Sequence, residues 1–132
     1  MSRERRIFER FRLDLEGALF LCRGKKGEKI CTPIICRLQD FSKKGACLVT
    51  NRILVDHHHL FFTALESDKF FLHLEFACPG EENTEAETYT IPVRPVWFDR
   101  LVDEEQKPFK MGIEFFEKMG EEQFQRIRRL SR

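Results

Sequence analysis

Residues 70–77, FFLHLEFA, alternate strictly, with Phe70, Leu72, Leu74 and Phe76 on one side and Phe71, His73, Glu75 and Ala77 on the other. A period of two is the signature of a strand with two different faces and does not fit a helix, whose apolar stripe returns every three to four residues. Residues 11–16 repeat the pattern, with Phe11, Leu13 and Leu15 set against Arg12, Asp14 and Glu16. Gly17 interrupts it, and ALFLC resumes as a more buried continuation before the polar turn RGKKGEK. Further strands are expected over 34–38 after Pro33, over ACLVT at 46–50, over TYTIPVRPVWF and over KMGIEFF, with LFFTAL at 60–65 a candidate for one more. Pro92 and Pro95 confine their strand to an edge, a bulge or a bend, because proline has no N–H to give a sheet ladder.

Only the tail has helical spacing. Gly120 is placed as an N-cap, Glu121 and Glu122 fall in the first turn, and Arg126, Arg128 and Arg129 fall near the end. These charges oppose the helix dipole at both ends, while Phe124, Ile127 and Leu130 share one face. A helix this short needs a surface to lie on. Several short strands separated by turn signals, followed by one amphipathic helix, predict a mainly β fold: a small six-stranded antiparallel β-barrel with a C-terminal α-helix.

At 132 residues the chain is long enough for one core and short for two. We expect residues 1–10 to be a flexible arginine-rich arm and residues 11–132 to be the barrel domain. The net charge of +1 argues against a whole-surface grip on long nucleic acid, so any anion site must come from local clustering. That clustering is present: five arginines (Arg3, Arg5, Arg6, Arg10 and Arg12) stand in the first twelve residues, whereas residues 80–87 are acidic. No apolar run reaches the length of a membrane-spanning helix and no signal-peptide core follows the arginines, which predicts a cytoplasmic protein not embedded in a membrane.

Cys22, Cys31, Cys36, Cys47 and Cys78 are odd in number and lack a C-x-x-C pair, as expected of reduced core thiols. Three consecutive histidines, His57 to His59, cannot share one strand face, and no Cys or His stands at ligand spacing beside them. They are read as solvated or half-buried, with no metal assigned. The 14 phenylalanines mostly fall at strand spacing and are assigned to the core.

Residues 40–45, DFSKKG, form the second constellation. On its own this is a polar turn in which Asp40 and Ser42 bond to nearby backbone N–H groups and Gly45 supplies a positive φ. Together with the arginines it acquires a chemistry. Guanine presents N7 and O6 acceptors that suit a bidentate arginine. Its N1–H and amino donors suit a carboxylate, and spare guanidinium charge is left for phosphate.

Arg6-x-x-x-Arg10 followed by Asp40-x-Ser42-x-x-Gly45, with GACLVT after it, MGIEFF as the last strand and an amphipathic tail, resembles the PilZ domain, the bacterial receptor module for cyclic di-GMP. The first spacing is unspecific, since Arg128 and Arg132 share it; order, separation and fold context carry the likeness. The resemblance implies that Arg6 and Arg10 clamp guanine and phosphate, that Asp40 and Ser42 contact a base, and that Gly45 permits the turn. Arg5 is of the type found in members that take up a stacked pair of ligands. It implies a receptor or adaptor that is not an enzyme, has no catalytic residue and no cofactor beyond the ligand, and changes its surface to regulate a downstream protein. Two alternatives stand beside it: a PilZ-like interaction module that binds no nucleotide, and a small-barrel binder of single-stranded nucleic acid.

Overall fold

The computed structural model describes residues 10–80 and 85–130. In chain order the elements are β1 (Phe11–Arg23), β2 (Ile34–Phe41), β3 (Gly45–Thr50), β4 (Leu54–Val55), β5 (His58–His59), α1 (Leu60–Glu66), β6 (Phe70–Cys78), β7 (Glu87–Arg100), β8 (Phe109–Phe115) and α2 (Glu121–Arg128). Six of the strands close into one antiparallel barrel in the order β1-β2-β3-β8-β7-β6, while β4 and β5 form a small separate hairpin. Closure matters because it gives each of the six strands a partner on both sides and leaves no open ladder at the barrel's rim.

The alternating segments become barrel strands because one face of each can be buried inside. Leu13, Leu19, Leu21, Leu38, Leu48, Leu72, Leu74, Val93 and Met111 are all buried. β1 runs unbroken through Gly17, which pairs with Cys36 on one side and Phe76 on the other. In its second half β1 is buried on both faces. Phe20, which alternation turns away from Leu19 and Leu21, is roofed by Lys29, whose Nζ lies 4.5 Å from the ring centroid, and by the stacked imidazole of His73 at 5.8 Å. The polar turn after β1 therefore folds back as a cover, which local polarity alone does not announce.

Segment 60–65 is a correction to the strand reading: it is the helix α1. Leu60 and Phe61 are buried and Ala64 is half-buried, while Phe62 and Leu65 are exposed, so the segment obeys a helical period and not a period of two. Its start is set by His59, whose Nδ1 accepts the Phe62 N–H at 3.1 Å. The turn ahead of it carries Asp56 and His57 at φ values of 50° and 69°. The three histidines thus have different tasks: His57 makes the turn, His58 sits against Phe70 at 6.1 Å, and His59 caps the helix.

β7 is an interior strand of the barrel, paired to β6 and β8, and it accommodates its prolines through a register shift between Pro95 and Trp97. α2 begins at Gly120 as the sequence predicts and buries Phe124 and Ile127. Phe124 meets Phe11 edge-on at 5.3 Å, and Phe11 in turn lies 5.9 Å from Phe41, so the helix closes the end of the barrel where β1 begins. Burying a side chain of this size is worth about 1.5–3 kcal/mol, enough to hold eight residues that would not stay helical alone. All five cysteines are buried and free of disulfides. Burial raises their thiol pKa values, in the case of Cys36 to about 12.

Candidate functional site

The turn joining β2 to β3 is built by Ser42. Its hydroxyl accepts the N–H groups of Lys44 and Gly45, each at 3.2 Å, and donates to the Gly45 carbonyl at 3.3 Å, while its own N–H reaches that carbonyl at 2.8 Å. Ser42 is buried, so these bonds replace water that the turn cannot reach. Gly45 is required for a different reason from the one expected. It does not adopt a positive φ; a Cβ there would stand 2.2 Å from the Ile113 carbonyl oxygen, because β8 passes directly against it. The turn is also tied to the far end of the chain. Phe115 and Met119 donate their N–H groups to the carbonyls of Lys44 and Lys43, and Lys43 forms an ion pair with Glu121 at the start of α2.

Asp40 stands two residues before this turn, and its side chain faces the chain's N-terminal segment. Arg10 donates from Nη1 to Asp40 Oδ1 at 3.2 Å, a pair formed across 30 positions of sequence. Both side chains keep contact with solvent, at 60% and 31% exposure, so the pair contributes little to stability and is free to be re-formed with a ligand.

The register places a single transverse row across five strands. Arg12 stands opposite Asp40, Asp40 opposite Cys47, Cys47 opposite Gly112, and Gly112 opposite Trp97. Direct cross-strand neighbours present their side chains on the same side of a sheet. A carboxylate and an indole therefore flank two small residues. The ladder shifts at Arg12/Leu15, Leu38/Asp40 and Pro95/Trp97, each touching a member of this row. Irregularities of this kind re-aim side chains at the rims of barrels. Gly112 makes room for the indole: a Cβ there would meet Trp97 Nε1 at 2.3 Å.

Beside this row lies a groove of about 150 Å³, lined by Arg10, Ser42, Lys44, Gly45, Trp97 and Glu114 among others. It brings three of the expected site residues, Arg10, Ser42 and Gly45, onto one surface. Asp40 is not in the lining itself and reaches the groove through Arg10. Arg5 and Arg6 lie outside the described residues, as do Arg132 and residues 81–84 of the acidic loop. The volume is below the roughly 300–1,000 Å³ of a pocket enclosing a whole small ligand, so the groove has room for only part of a molecule of that size. Cys47 stays a neutral thiol: burial raises its pKa, the nearby Asp40 charge adds to this, and Lys110 and Arg10 oppose it.

Trp97 is the member that sequence reasoning missed. It is the chain's one tryptophan and keeps 44% exposure. Its position two residues after Pro95, where an edge, a bulge or a bend was expected, was the available signal. A cavity of about 780 Å³ on the outer side of β2 and β3 includes Arg37, Arg52, Glu104 and Glu105 but none of the motif residues. Arg37 there is already engaged by Asp14 at 2.6 Å. Among the described residues no helix is long and apolar enough to cross a membrane.

Comparison with protein-family models, with curated proteins and with solved structures finds no match to this chain.

Proposed function

We propose that this protein is a PilZ-like receptor for cyclic di-GMP. The observation that carries the reading is the convergence of Arg10, Ser42 and Gly45 on one groove, with Asp40 paired to Arg10 and an exposed indole on the opposite wall. In this reading one guanine enters between Trp97 and Arg10. Stacking on the indole is worth about 1–3 kcal/mol and accepts any base, so selectivity falls to the polar groups. Arg10 offers paired N–H donors to O6 and N7 or to a phosphate. Asp40, released from Arg10 or sharing it, accepts from the N1–H and amino group.

Arg6, outside the described residues, is assigned with Arg10 to the clamp on guanine and phosphate, and Arg5 to the uptake of a stacked pair of ligands, both from the resemblance. Ser42 acts here chiefly by holding the turn. Output is assigned to the end of the barrel where α2 lies, because both halves of the motif touch it: Phe11, next to Arg10, packs on Phe124, and Lys43, next to Ser42, pairs with Glu121. A ligand that re-forms the Arg10 contacts thereby biases the helix that a downstream protein would meet. We assign no catalytic step. The cytoplasm is the compartment in which such a messenger is met.

Calorimetric titration of the full chain with cyclic di-GMP, with GTP and a short single-stranded oligonucleotide as controls, tests this reading. Micromolar or tighter binding of the cyclic dinucleotide alone, about −8 kcal/mol or better, supports it. Binding of the oligonucleotide instead favours the nucleic-acid reading, and binding of none of the three favours a ligand-free interaction module.

A further inference from the structure

A second hollow, of about 440 Å³, lies between the end of α1, the paired strands β6 and β7 and the turn that follows β1. It shares no residue with the groove beside Arg10. We propose that it binds an organic monoanion with an apolar body, whose acid group is taken by Lys25.

The lining is mixed, apolar and polar in about equal parts. Leu72, Val93 and Pro95 are buried and form its floor, and the rings of Phe71 and Phe116, 5.5 Å apart and edge-to-face, form a wall. Leu65 stands at the rim with half its surface exposed. Covering such surfaces returns roughly 25 cal/mol per Å² of apolar area, and the volume lies in the range usual for small-molecule sites.

Charge selects the ligand. Two cations converge on one ring: Lys25 Nζ lies 4.7 Å and Arg94 Cζ 4.8 Å from the Phe116 centroid. Arg94 is already met by Glu114 at 3.3 Å. Lys25 is exposed and has no ion pair among the described residues, so its ammonium is open to an anion. Nor is Lys25 placed at random. Its carbonyl accepts from the buried His73 Nε2 at 2.7 Å, and the Gly24 N–H reaches the Lys69 carbonyl at 2.8 Å, with Gly24 at φ 78°. These bonds pin the turn so that the ammonium sits at the mouth of the hollow. Asp68, also in the lining, disfavours a second negative charge. Ligands with two or more negative charges, such as phosphate monoesters and cyclic dinucleotides, are thereby disfavoured, and a singly charged acid such as a carboxylate or sulfonate on an aliphatic or aromatic body is favoured.

The test is a fluorescence titration of the folded full chain with 1-anilinonaphthalene-8-sulfonate, an aromatic monoanion, with octanoate and octanol as competitors. The expected result is saturable binding of one dye, displaced by octanoate and far less by octanol at equal concentration. Lys25→Met should weaken both dye and octanoate about fivefold or more, the loss of one partly exposed charge contact. Lys25→Arg should retain them, and Asp68→Asn should tighten them. Lys25 is exposed, so its substitution leaves folding intact, checked by an unchanged melting temperature. Absence of saturable binding, equal affinity in Lys25→Met and the parent, or equal displacement by octanol would overturn the proposal. So would displacement of the dye by cyclic di-GMP, which would place it in the other groove.

Discussion

Arg10 and Asp40, thirty residues apart, meet at 3.2 Å on the outer wall of the barrel, and neither is withdrawn from solvent. A pair so exposed adds at most about 1 kcal/mol to folding, so it can be exchanged for ligand contacts, as the proposed function requires, at little cost to the fold. Arg10→Ala should weaken cyclic di-GMP binding at least about tenfold, the loss of one charge-assisted contact of roughly 1.5–3 kcal/mol, while the melting temperature moves by no more than about 3 °C. Asp40→Asn places an amide donor against the base donors and should cost a similar factor. If calorimetry shows wild-type affinity in both variants, the clamp assignment is wrong.

Ser42 and Gly45 should behave in the opposite way, as residues of the fold first. Ser42→Ala leaves the buried Gly45 N–H and the part-buried Lys44 N–H without their acceptor, which costs about 1–3 kcal/mol and should lower the melting temperature by about 3–10 °C. Gly45→Ala forces a Cβ toward the Ile113 carbonyl, backbone against backbone, where nothing can yield without moving a strand. A loss of about 3 kcal/mol or more is expected. Thermal melts of both variants without ligand separate this role from a contact made only with the nucleotide, which would leave them unchanged.

Trp97 should report directly on the groove. As the single tryptophan, its emission should shift or quench on adding cyclic di-GMP, with the same midpoint as the calorimetric titration. Trp97→Ala should weaken binding by about 1–3 kcal/mol if a base stacks there. Emission that stays constant through a calorimetrically complete titration would remove Trp97 from the site.

His59 confers a pH dependence on α1. Half-burial lowers its pKa below the ordinary value of 6.5, and the cap it makes needs an unprotonated Nδ1 to accept the Phe62 N–H. The unfolded chain therefore takes up the proton first. The cap's contribution is fully present above pH 6.5 and is lost as pH falls from there through the folded-state pKa. Urea unfolding at pH 7.5 and pH 5 should show this loss in the parent and less of it in His59→Asn, which keeps a capping acceptor that does not titrate. An identical pH dependence in the two proteins would mean that the cap is not what titrates.

The barrel strands were legible in the chain because alternation is local: Phe70, Leu72, Leu74 and Phe76 need no knowledge of their neighbours to demand a two-faced strand. The terminal helix was legible for the same reason, through Gly120, its charged ends and the Phe124, Ile127 and Leu130 spacing. Segment 60–65 was not, because six apolar-rich residues suit either period, and the choice fell to the His59 cap and to the surface that Leu60 and Phe61 found. At the site, sequence order pointed to Arg10, Asp40, Ser42 and Gly45, yet it misassigned the reason for Gly45, since the approach of β8 is invisible from β3 alone. Trp97 entered only through register. Whether an indole on β7 shares a row with a carboxylate on β2 depends on two ladder shifts, at Leu38/Asp40 and Pro95/Trp97, and on the order in which strands close, and those are settled between segments far apart in the chain, where side-chain packing and cross-strand hydrogen bonds choose one pairing over another.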